Sequence, residues 1–540
     1  MAATSDSHRA DFGNGSEAGP SSGDMLLFWG CFIALIATAF GFIVRTQIIN
    51  DWGREFDLNF TQKGELFGVG LWPFAISIIL FSLIIDKIGY GKAMAFAFLC
   101  HVVSAVVTIM APTLAGDPSD PGYKDRGYWI LYFGTFIVAL GNGTVEAVIN
   151  PVVATIFRNQ KTKWLNILHA GWPGGLVLGG LLSIGLGDVS WQFKVALLFI
   201  PVVAYGAILS RCRFPINERV AMGGSYLTML QQVGALGALI VVGLIVREVG
   251  RVFAIPDMVQ LVIIGALVGG YGLAVRSLGS PLFIILMLIM IPLATTELGT
   301  DSWITPLMES QMTAMSLNPG LILIYTSLIM MVLRFSAGPI VHRLSPLGLL
   351  ALSAALAAGG LVFLSQAQGA VILAAATLYG LGKTFFWPTM LGVVSEQYPE
   401  GGALTLNTMG GVGMLAVGVL GNPFLGFIQD TRISDALRQE HPAIYELVTG
   451  DRKASVFGEY TPIDAQKVDA LLNDETEERQ AQAAIFKEIR DRESKRALLT
   501  VALLPCLMLV SYIGLIVYFA TQGGYKPKSL SHAEEAATEY

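Results

Sequence analysis

Leu140-Gly141-Asn142-Gly143 and, further along, Leu165-Asn166 have counterparts at Leu381-Gly382-Lys383-Thr384 and Leu406-Asn407. Both matches have the same offset, because Gly141 and Gly382 are 241 residues apart and so are Asn166 and Asn407. Each copy covers the end of one long apolar segment, a short polar break and the start of the next segment. Many secondary transporters are built from repeated groups of membrane helices, with the substrate site between the two halves. The repeat therefore predicts two similar membrane-spanning halves with a site at their interface.

The composition is typical of a protein with many membrane spans. Hydrophobic residues make up 54% of the 540-residue chain, charged residues make up 14%, and the mean hydropathy is +0.61. Soluble domains carry about 25% charged residues. The net charge of −6 does not indicate binding to nucleic acid. We therefore expect an all-α polytopic membrane protein that binds no nucleic acid.

No sequence pattern indicates an enzyme, a metal site or a cofactor. The four cysteines lie scattered in or beside apolar runs, where we expect small buried side chains rather than a disulfide or a metal cluster. They are Cys31, Cys100, Cys212 and Cys506. No Walker-type phosphate-binding motif is present, and the glycine clusters lie in apolar segments, where small residues let helices approach closely. We expect no cofactor.

Fourteen apolar runs approach the length that crosses a bilayer, which is about 20 residues. The first group of six lies near 25–49, 65–85, 91–112, 128–157, 165–187 and 191–210. The second group of six lies near 280–300, 319–341, 347–365, 370–394, 403–428 and 497–520. Between the groups, the runs 226–247 and 257–276 are either two extra spans or an interfacial hairpin.

These runs divide the chain into domains. We predict a disordered cytoplasmic tail at 1–24, an N-terminal six-helix bundle at 25–212, a linker with two extra membrane helices at 213–279, a C-terminal six-helix bundle at 280–522 and a cytoplasmic tail at 523–540. The hydrophilic loop 429–496, before the last span, is predicted to be an extracytoplasmic helical cap. Lysine and arginine are concentrated in the loops on the side of the termini, which places both termini in the cytoplasm.

Asp86-Lys87-Ile88-Gly89-Tyr90-Gly91-Lys92, after the second run, resembles the inner-loop motif of the major facilitator superfamily. A less complete copy, Gly338-Pro339-Ile340-Val341-His342-Arg343, follows the eighth of the twelve core runs. The resemblance implies the major facilitator fold, in which two six-helix bundles are related by a pseudo-twofold axis, here with two extra helices between the halves.

Further stretches are similar to the fucose–galactose–glucose proton symporter family. Glu146-Ala147-Val148-Ile149-Asn150-Pro151 and Trp164-Leu165-Asn166-Ile167-Leu168-His169 are similar to its fourth and fifth helices, and Glu297-Leu298-Gly299-Thr300-Asp301-Ser302-Trp303 to its seventh. Two positions differ: the family's first-helix Asp falls here near Arg45-Thr46, and a Gln of the family is His169. The resemblance implies a sugar substrate and a bacterial inner membrane, while the two differences mean that the family's coupling mechanism does not carry over directly. We expect H+ as the coupling ion, with Na+ as the alternative.

Glu146 is the main candidate for substrate binding and proton coupling. It lies 11 residues before Arg158, which is roughly 16 Å from the inner end of its helix. Its side chain is too short to reach the membrane surface, and a carboxylate in hydrocarbon costs at least ~2.5 kcal/mol. We therefore expect Glu146 to face a protein interior or a wet cavity, where it can take up a proton. The alternative is a structural, hydrogen-bonded acid.

Lys383 and four asparagines are further candidates for substrate binding. Lys383 has the repeat position of Asn142 and lies roughly 20 Å into its span. At that depth it would bind substrate hydroxyls or offset the charge of Glu146. The alternatives are another internal ion pair and a side chain that reaches the surface. Amides match carbohydrate hydroxyls but also bond neighbouring helices. The four amides are Asn142, Asn150, Asn166 and Asn407. Asn150 could instead satisfy the carbonyl freed by Pro151.

His169 shares a helix face with Asn166, three residues earlier. It is either a substrate-binding proton relay or a neutral core histidine. Trp172 and Trp387 are candidates to stack on a sugar ring. Glu297 is a substrate-site candidate. Arg45 is a candidate coupling residue that would pair with Glu146 or Glu297, or extend to the outer surface.

A separate group of charged residues lies near the inner helix ends. We predict an inner ion-pair gate from Asp86, Lys87, Arg158, Arg334 and Glu396. The function that these observations favour is secondary active transport of a neutral monosaccharide by alternating access, with proton coupling, by a monomer in the lipid bilayer. The alternatives are an uncoupled facilitator, a transporter of a sugar acid or organic anion, and a non-transporting sensor that binds ligands through 429–496.

Overall fold

The computed structural model describes residues 20–58, 60–455 and 457–528. Most of the predicted tail at 1–24, and residues 529–540 of the second predicted tail, lie outside the described residues. The first helix begins at Ser22, inside the predicted tail, because Ser21 and Asp24 form a capping box. The Ser21 hydroxyl accepts a hydrogen bond from the Asp24 amide at 3.1 Å, and the Asp24 carboxylate accepts one from the Ser21 amide at 3.0 Å.

The N-terminal half consists of helices alone in its described residues. They are α1 (Ser22–Phe56), α2 (Phe60–Gly68), α3 (Trp72–Ile88), α4 (Tyr90–Ile109), α5 (Ala111–Ala115), α6 (Tyr123–Ile156), α7 (Lys161–Leu168), α8 (Gly171–Gly185), α9 (Trp191–Ala196) and α10 (Phe199–Leu209), with a 3-10 turn at Arg158–Gln160. α1 packs against α8 and α10, and α6 packs against α3 and α4. At the contact of α3 and α6, a Cβ on Gly143 would lie 2.1 Å from the Phe74 carbonyl oxygen, so only glycine permits this approach.

Three helices connect the halves. They are α11 (Glu218–Ala221), α12 (Tyr226–Val252) and α13 (Asp257–Val275). α12 is kinked at Gly234, whose φ of 58° favours glycine, and the amides that follow the kink bond the carbonyls of Ser277 and Leu278 at 2.9 and 3.1 Å. α13 packs on α12 and buries only Gln260 and Val275. Both helices are long and apolar enough to cross a membrane, which favours two extra spans over an interfacial hairpin.

The C-terminal half is more broken than the N-terminal half. Its helices are α14 (Pro281–Ala294), α15 (Thr300–Leu307), α16 (Glu309–Ala314), α17 (Leu321–Phe335), α18 (Ala337–Arg343), α19 (Pro346–Gln366), α20 (Val371–Lys383), α21 (Phe386–Gln397), α22 (Gly402–Ala416), α23 (Asn422–Glu440) and α27 (Leu503–Thr521), with π-helical turns at Thr295–Gly299 and Val417–Gly421 and a 3-10 turn at Pro399–Gly401. π-helical turns occur frequently at functional sites, and the first of these contains Glu297.

The segment 429–496 has its own small core between α23 and α27. Its elements are α24 (Pro442–Val448), β1 (Lys453–Ser455), β2 (Gly458–Tyr460), α25 (Ala465–Leu472) and α26 (Glu477–Val501). β1 and β2 pair antiparallel, with Ala454 opposite Glu459, a hairpin that the sequence did not predict. The core of this segment includes Leu437, Val448 and Phe486. We call the side of the molecule that carries it the cap face.

The predicted arrangement of two six-helix halves with two extra helices between them is confirmed. Within the described ranges, twelve helices are long and apolar enough to cross a membrane, and the pair α17–α18, bent by 66°, would be a thirteenth. The remaining predicted run, 370–394, is divided into α20 and α21. Pro388 accounts for this division, because it has no N–H to bond the carbonyl of Thr384 four residues earlier.

Three helix pairs make the most extensive contacts between the two halves. α3 packs against α22, α8 against α17, and α7 against α21. The last contact is so close that a Cβ on Gly392 would lie 2.3 Å from the Thr162 hydroxyl oxygen. These pairs surround the space in which the predicted site residues lie.

Candidate functional site

A central cavity of about 360 Å³ lies between the two halves. It is lined by Phe74, Glu146, His169 and Trp172 from the N-terminal half and by Glu297, Leu298, Arg334, Trp387 and Met414 from the C-terminal half. A second cavity of about 580 Å³ adjoins it, shares four of these residues and adds Asn142, Asp301 and Ser302. The structure therefore brings together six of the ten residues predicted to bind substrate, from both halves of the chain.

Glu146 begins a chain of hydrogen bonds in the N-terminal half. The Asn150 amide donates to the Glu146 carboxylate at 2.7 Å, and the Asn150 carbonyl oxygen lies 2.9 Å from Nε2 of His169. Glu146 is buried, and no cation lies within ion-pair distance of it among the described residues. A buried carboxyl without a cation can be kept neutral by a proton, so this chain is suited to proton exchange with the cavity.

Arg334 belongs to the central cavity, whereas the sequence placed it in the inner gate. Its side chain is 1% exposed and donates to Glu297 at 2.8 Å, to the His169 carbonyl at 2.8 Å and to the Thr384 carbonyl at 2.6 Å. Pro173 and Pro388 lie four residues after these two carbonyls and leave them without helical partners. Arg334 therefore satisfies a carboxylate and two proline-freed carbonyls, and it joins the two halves.

Lys383 is paired with Asp301 and not with Glu146. Both side chains are buried, and the ammonium also lies 3.3 Å from the Thr326 hydroxyl and 5.3 Å from the centre of the Tyr379 ring. Asp301 was not among the predicted residues. A signal was present, because Asp301 follows Glu297 by four residues and residues at that spacing share a helix face.

Asn166 and Asn407 do not line the two cavities; they bond the halves to each other. The Asn166 amide donates to the Thr389 hydroxyl at 3.2 Å, and the Asn407 amide donates to the Ala147 carbonyl at 2.9 Å. That carbonyl is the one freed by Pro151, so Asn407 has the role that the sequence suggested for Asn150. Asn150 instead serves Glu146 and His169.

We expect Asn407→Ala to lower the stability of the protein by about 1–3 kcal/mol, because the buried Ala147 carbonyl would lose its partner. The measurement is thermal unfolding of the purified protein in detergent. Asn159→Ala, in an exposed turn, is the matched control and should change little. Equal unfolding temperatures for the two variants would contradict the bond between the halves.

Asn142 is part of a chain that the sequence did not reveal. Its carbonyl oxygen lies 2.9 Å from Nε2 of His101, and Nδ1 of His101 lies 2.9 Å from the Tyr205 hydroxyl. Because the oxygen of Asn142 can only accept, Nε2 donates to it and Nδ1 accepts from Tyr205. This chain connects the second cavity to helix α10.

Arg45 lines a third cavity of about 310 Å³, which shares Phe42 and Gly70 with the second. Its Nε donates to the Gly41 carbonyl at 3.2 Å. Neither Glu146 nor Glu297, its predicted partners, bonds it, and no carboxylate lies within ion-pair distance among the described residues. Arg45 is thus a half-buried cation without an acid.

The remaining predicted gate residues lie on the face opposite the cap, which we call the terminal face because both described chain ends reach it. Lys87 lies over the Tyr226 ring at 5.5 Å, Asp86 pairs with Arg219, and Arg158 bonds the Thr155 carbonyl at 3.3 Å. None of these three contacts joins two of the predicted gate residues.

Bonds between the halves close the terminal face, and they involve the predicted gate residue Glu396 together with residues that were not predicted. Glu396 accepts from the Thr162 hydroxyl and, at 2.8 Å, from the Tyr525 hydroxyl. Lys161 binds Glu218 at 3.0 Å and the Ser395 carbonyl at 3.2 Å.

Comparison with known proteins agrees with this architecture. The family model described as the Major Facilitator Superfamily matches residues 27–422. A structure of a transporter of that superfamily, FucP, in the outward conformation covers 91% of this chain and 99% of its own, with a TM-score of 0.56 at 14% identity. Another structure describes FucP as the Escherichia coli fucose:proton symporter.

Two further structures are similar at comparable levels. The proton:xylose symporter XylE, bound to a glucose derivative, has a TM-score of 0.56 at 16% identity and covers 79% of this chain and 92% of its own. The human organic anion transporter MFSD10 has a TM-score of 0.53 at 10% identity and covers 91% of this chain and 99% of its own. At such identities the likeness is one of fold.

Proposed function

The chain belongs to the Major Facilitator Superfamily, and we propose that it moves a neutral monosaccharide across the membrane by alternating access, coupled to a proton through Glu146. Membership makes it a multi-pass membrane transporter and not an enzyme, and the superfamily prediction is confirmed. The sugar, the proton, the cytoplasmic termini and the bacterial inner membrane are parts of the proposal.

The charge balance of the cavities carries the proposal of a neutral substrate. Arg334 is matched by Glu297, and Lys383 is matched by Asp301. Glu146 is the remaining carboxyl in the lining, and a single proton neutralises it. To bind Arg334 or Lys383, an anionic substrate would have to displace a carboxylate from a buried cation, which is costly because it would leave that carboxylate unpaired.

The shape and chemistry of the lining support a monosaccharide. Trp172 and Trp387 come from opposite halves and offer apolar ring faces, while Glu146, Asn142 and Ser302 offer polar groups for hydroxyls. Ligand sites combine an apolar lining with a few placed polar groups in this manner.

Alternating access requires bonds between the halves that can be broken and remade. The cavity lined by Glu146 shares residues with the cavity lined by Asn142, which in turn shares residues with the cavity lined by Arg45. The terminal face is closed through Glu396 and Lys161. Opening the terminal face would break the bonds of Glu396 and Lys161. Protonation of Glu146 would shift the equilibrium between the two states only if the proton affinity of Glu146 differs between them.

Counterflow in liposomes tests the proposed substrate. We expect purified protein, preloaded with a neutral hexose or pentose, to accelerate uptake of the same labelled sugar at least tenfold over empty liposomes, and not to do so with uronates. Exchange of uronates alone would overturn the neutral substrate. If no solute from the panel exchanges, the transport proposal fails and the sensor alternative is favoured.

One observation favours an organic anion as a second candidate. Arg45 has no acidic partner among the described residues and lines a cavity that adjoins the central ones. If uronates exchange, Arg45→Gln should reduce that exchange at least tenfold, since a charge-assisted hydrogen bond contributes about 1.5–3 kcal/mol. Under the neutral-sugar proposal, Arg45→Gln leaves the binding of sugars within about threefold of the unmodified protein.

We also propose that a single copy of the chain is sufficient and that no cofactor takes part. Both halves of the central cavity come from one chain, which supports a monomer. H+ is the proposed coupling ion over Na+, since the chain from Glu146 to His169 offers one carboxylate, one amide and one imidazole, whereas hard cations take several oxygen ligands.

A further inference from the structure

A groove of about 1000 Å³ lies on the outer side of the N-terminal half, between α4 and α10 and away from the central cavities. Its walls include Phe98, Val203, Leu209 and Phe214, and Val203 is 56% exposed. The groove therefore opens to the surface that faces lipid in a membrane protein. We call it the lateral groove.

Small residues create the space of the lateral groove. Gly91 and Ala95 on α4, and Gly206 and Ala207 on α10, line it, and a Cβ on Gly206 would lie 2.6 Å from the Phe98 ring. A cleft with apolar walls and an opening toward the bilayer has the chemistry of a site for an acyl chain.

One end of the lateral groove carries unpaired positive charge. Lys92 follows the lining residue Gly91, while Arg211 and Arg213 flank the lining residue Cys212, and all three basic side chains are exposed. No carboxylate lies within ion-pair distance of any of them among the residues that the structure describes. Lys161 and Arg219, on the same terminal face, are each paired with an acid.

We propose that the lateral groove binds a phospholipid with an anionic headgroup, with an acyl chain between α4 and α10 and the phosphate at Lys92, Arg211 and Arg213. Each basic residue near an anionic membrane surface raises the affinity for that surface by about a factor of five. Basic pockets between membrane helices bind anionic headgroups. A zwitterionic lipid carries its own cation in the headgroup, so the basic residues increase its affinity less. This inference does not depend on the substrate proposed above.

The lateral groove is connected to the transport site. Tyr205 lines it, and its hydroxyl bonds His101, which bonds Asn142 in the second cavity. A lipid that holds α4 and α10 in this arrangement also holds Asn142 in place. By linkage, the lipid then changes substrate affinity to the extent that it prefers one arrangement of these helices.

Native mass spectrometry of the full-length protein in detergent, titrated with phosphatidylglycerol or phosphatidylcholine, tests the proposal. We expect phosphatidylglycerol to be retained at least tenfold more tightly than phosphatidylcholine. Arg211→Gln with Arg213→Gln should weaken phosphatidylglycerol about 25-fold and leave phosphatidylcholine little changed, since two basic residues are lost. Ala207→Trp, which fills the groove, should weaken both lipids.

The matched control is Arg276→Gln with Arg343→Gln, two exposed arginines elsewhere in the protein, and it should retain phosphatidylglycerol as the unmodified protein does. A cooperative thermal unfolding transition of each variant is the check that the variant is folded. Equal retention of the two lipids, or equal effects of the two double variants, would overturn the proposal.

Discussion

Glu146→Gln is expected to abolish accumulation of substrate against its gradient while exchange continues. A symporter that carries one proton with each sugar accumulates about tenfold for each unit of pH difference, because a tenfold ratio corresponds to about 1.4 kcal/mol. Glutamine keeps the hydrogen bond to Asn150 but cannot take up a proton at physiological pH. The accumulation ratio in liposomes with an acidic exterior should therefore fall to about one, with counterflow retained.

Glu65→Gln is the control for this experiment. Its carboxylate bonds the Tyr128 hydroxyl at 2.5 Å and lies outside the three cavities, so accumulation should be unchanged. Full pH-driven accumulation by Glu146→Gln would exclude the proton role of Glu146. Loss of both accumulation and counterflow would instead make Glu146 a substrate-binding residue without a separable coupling role.

Arg334→Met should be the most destabilising single substitution in the central region. It leaves the Glu297 carboxylate buried without its cation, and breaking a buried pair from one side costs about 3–5 kcal/mol. The carbonyls of His169 and Thr384 lose their donors as well. We expect a large fall in the unfolding temperature in detergent, and no counterflow.

The double variant Glu297→Gln with Arg334→Met separates the charge from the hydrogen bonds. Removal of the unpaired carboxylate should recover part of the lost stability, while the two carbonyls remain unsatisfied at about 1–3 kcal/mol each. Arg343→Met, at an exposed arginine of the terminal face, is the control and should unfold as the unmodified protein does. If Arg334→Met also unfolded at the same temperature as the unmodified protein, the proposed network would be wrong.

Much of the central site was predictable because several of its residues are polar or charged and lie within apolar runs of the sequence. Glu146, His169 and Glu297 are charged or polar residues inside long apolar runs, where exposure to lipid is costly. Trp172 and Trp387 were predicted because an aromatic ring can stack on a sugar, the substrate that the family resemblance implies. The structure places all five around one cavity.

The partners of these residues were less predictable. Lys383 was predicted to bind substrate hydroxyls or offset Glu146, with another internal ion pair as an alternative, and the structure shows an ion pair with Asp301. Arg334 was expected near the helix end but binds Glu297. The choice of partner depends on how each helix is rotated and on where a span is broken. A linear pattern of apolar residues constrains neither of these.

The amino-acid sequence predicted the membrane class, the fourteen runs and the two related halves, because the bilayer demands long apolar segments and makes a polar residue inside one conspicuous. It also displayed Pro151, Pro173 and Pro388, each of which must free a carbonyl. Which side chains satisfy those carbonyls depends on how the helices pack. Asn407 and Arg334 do so from positions distant in the chain, because packing of the two halves brings them within hydrogen-bonding reach.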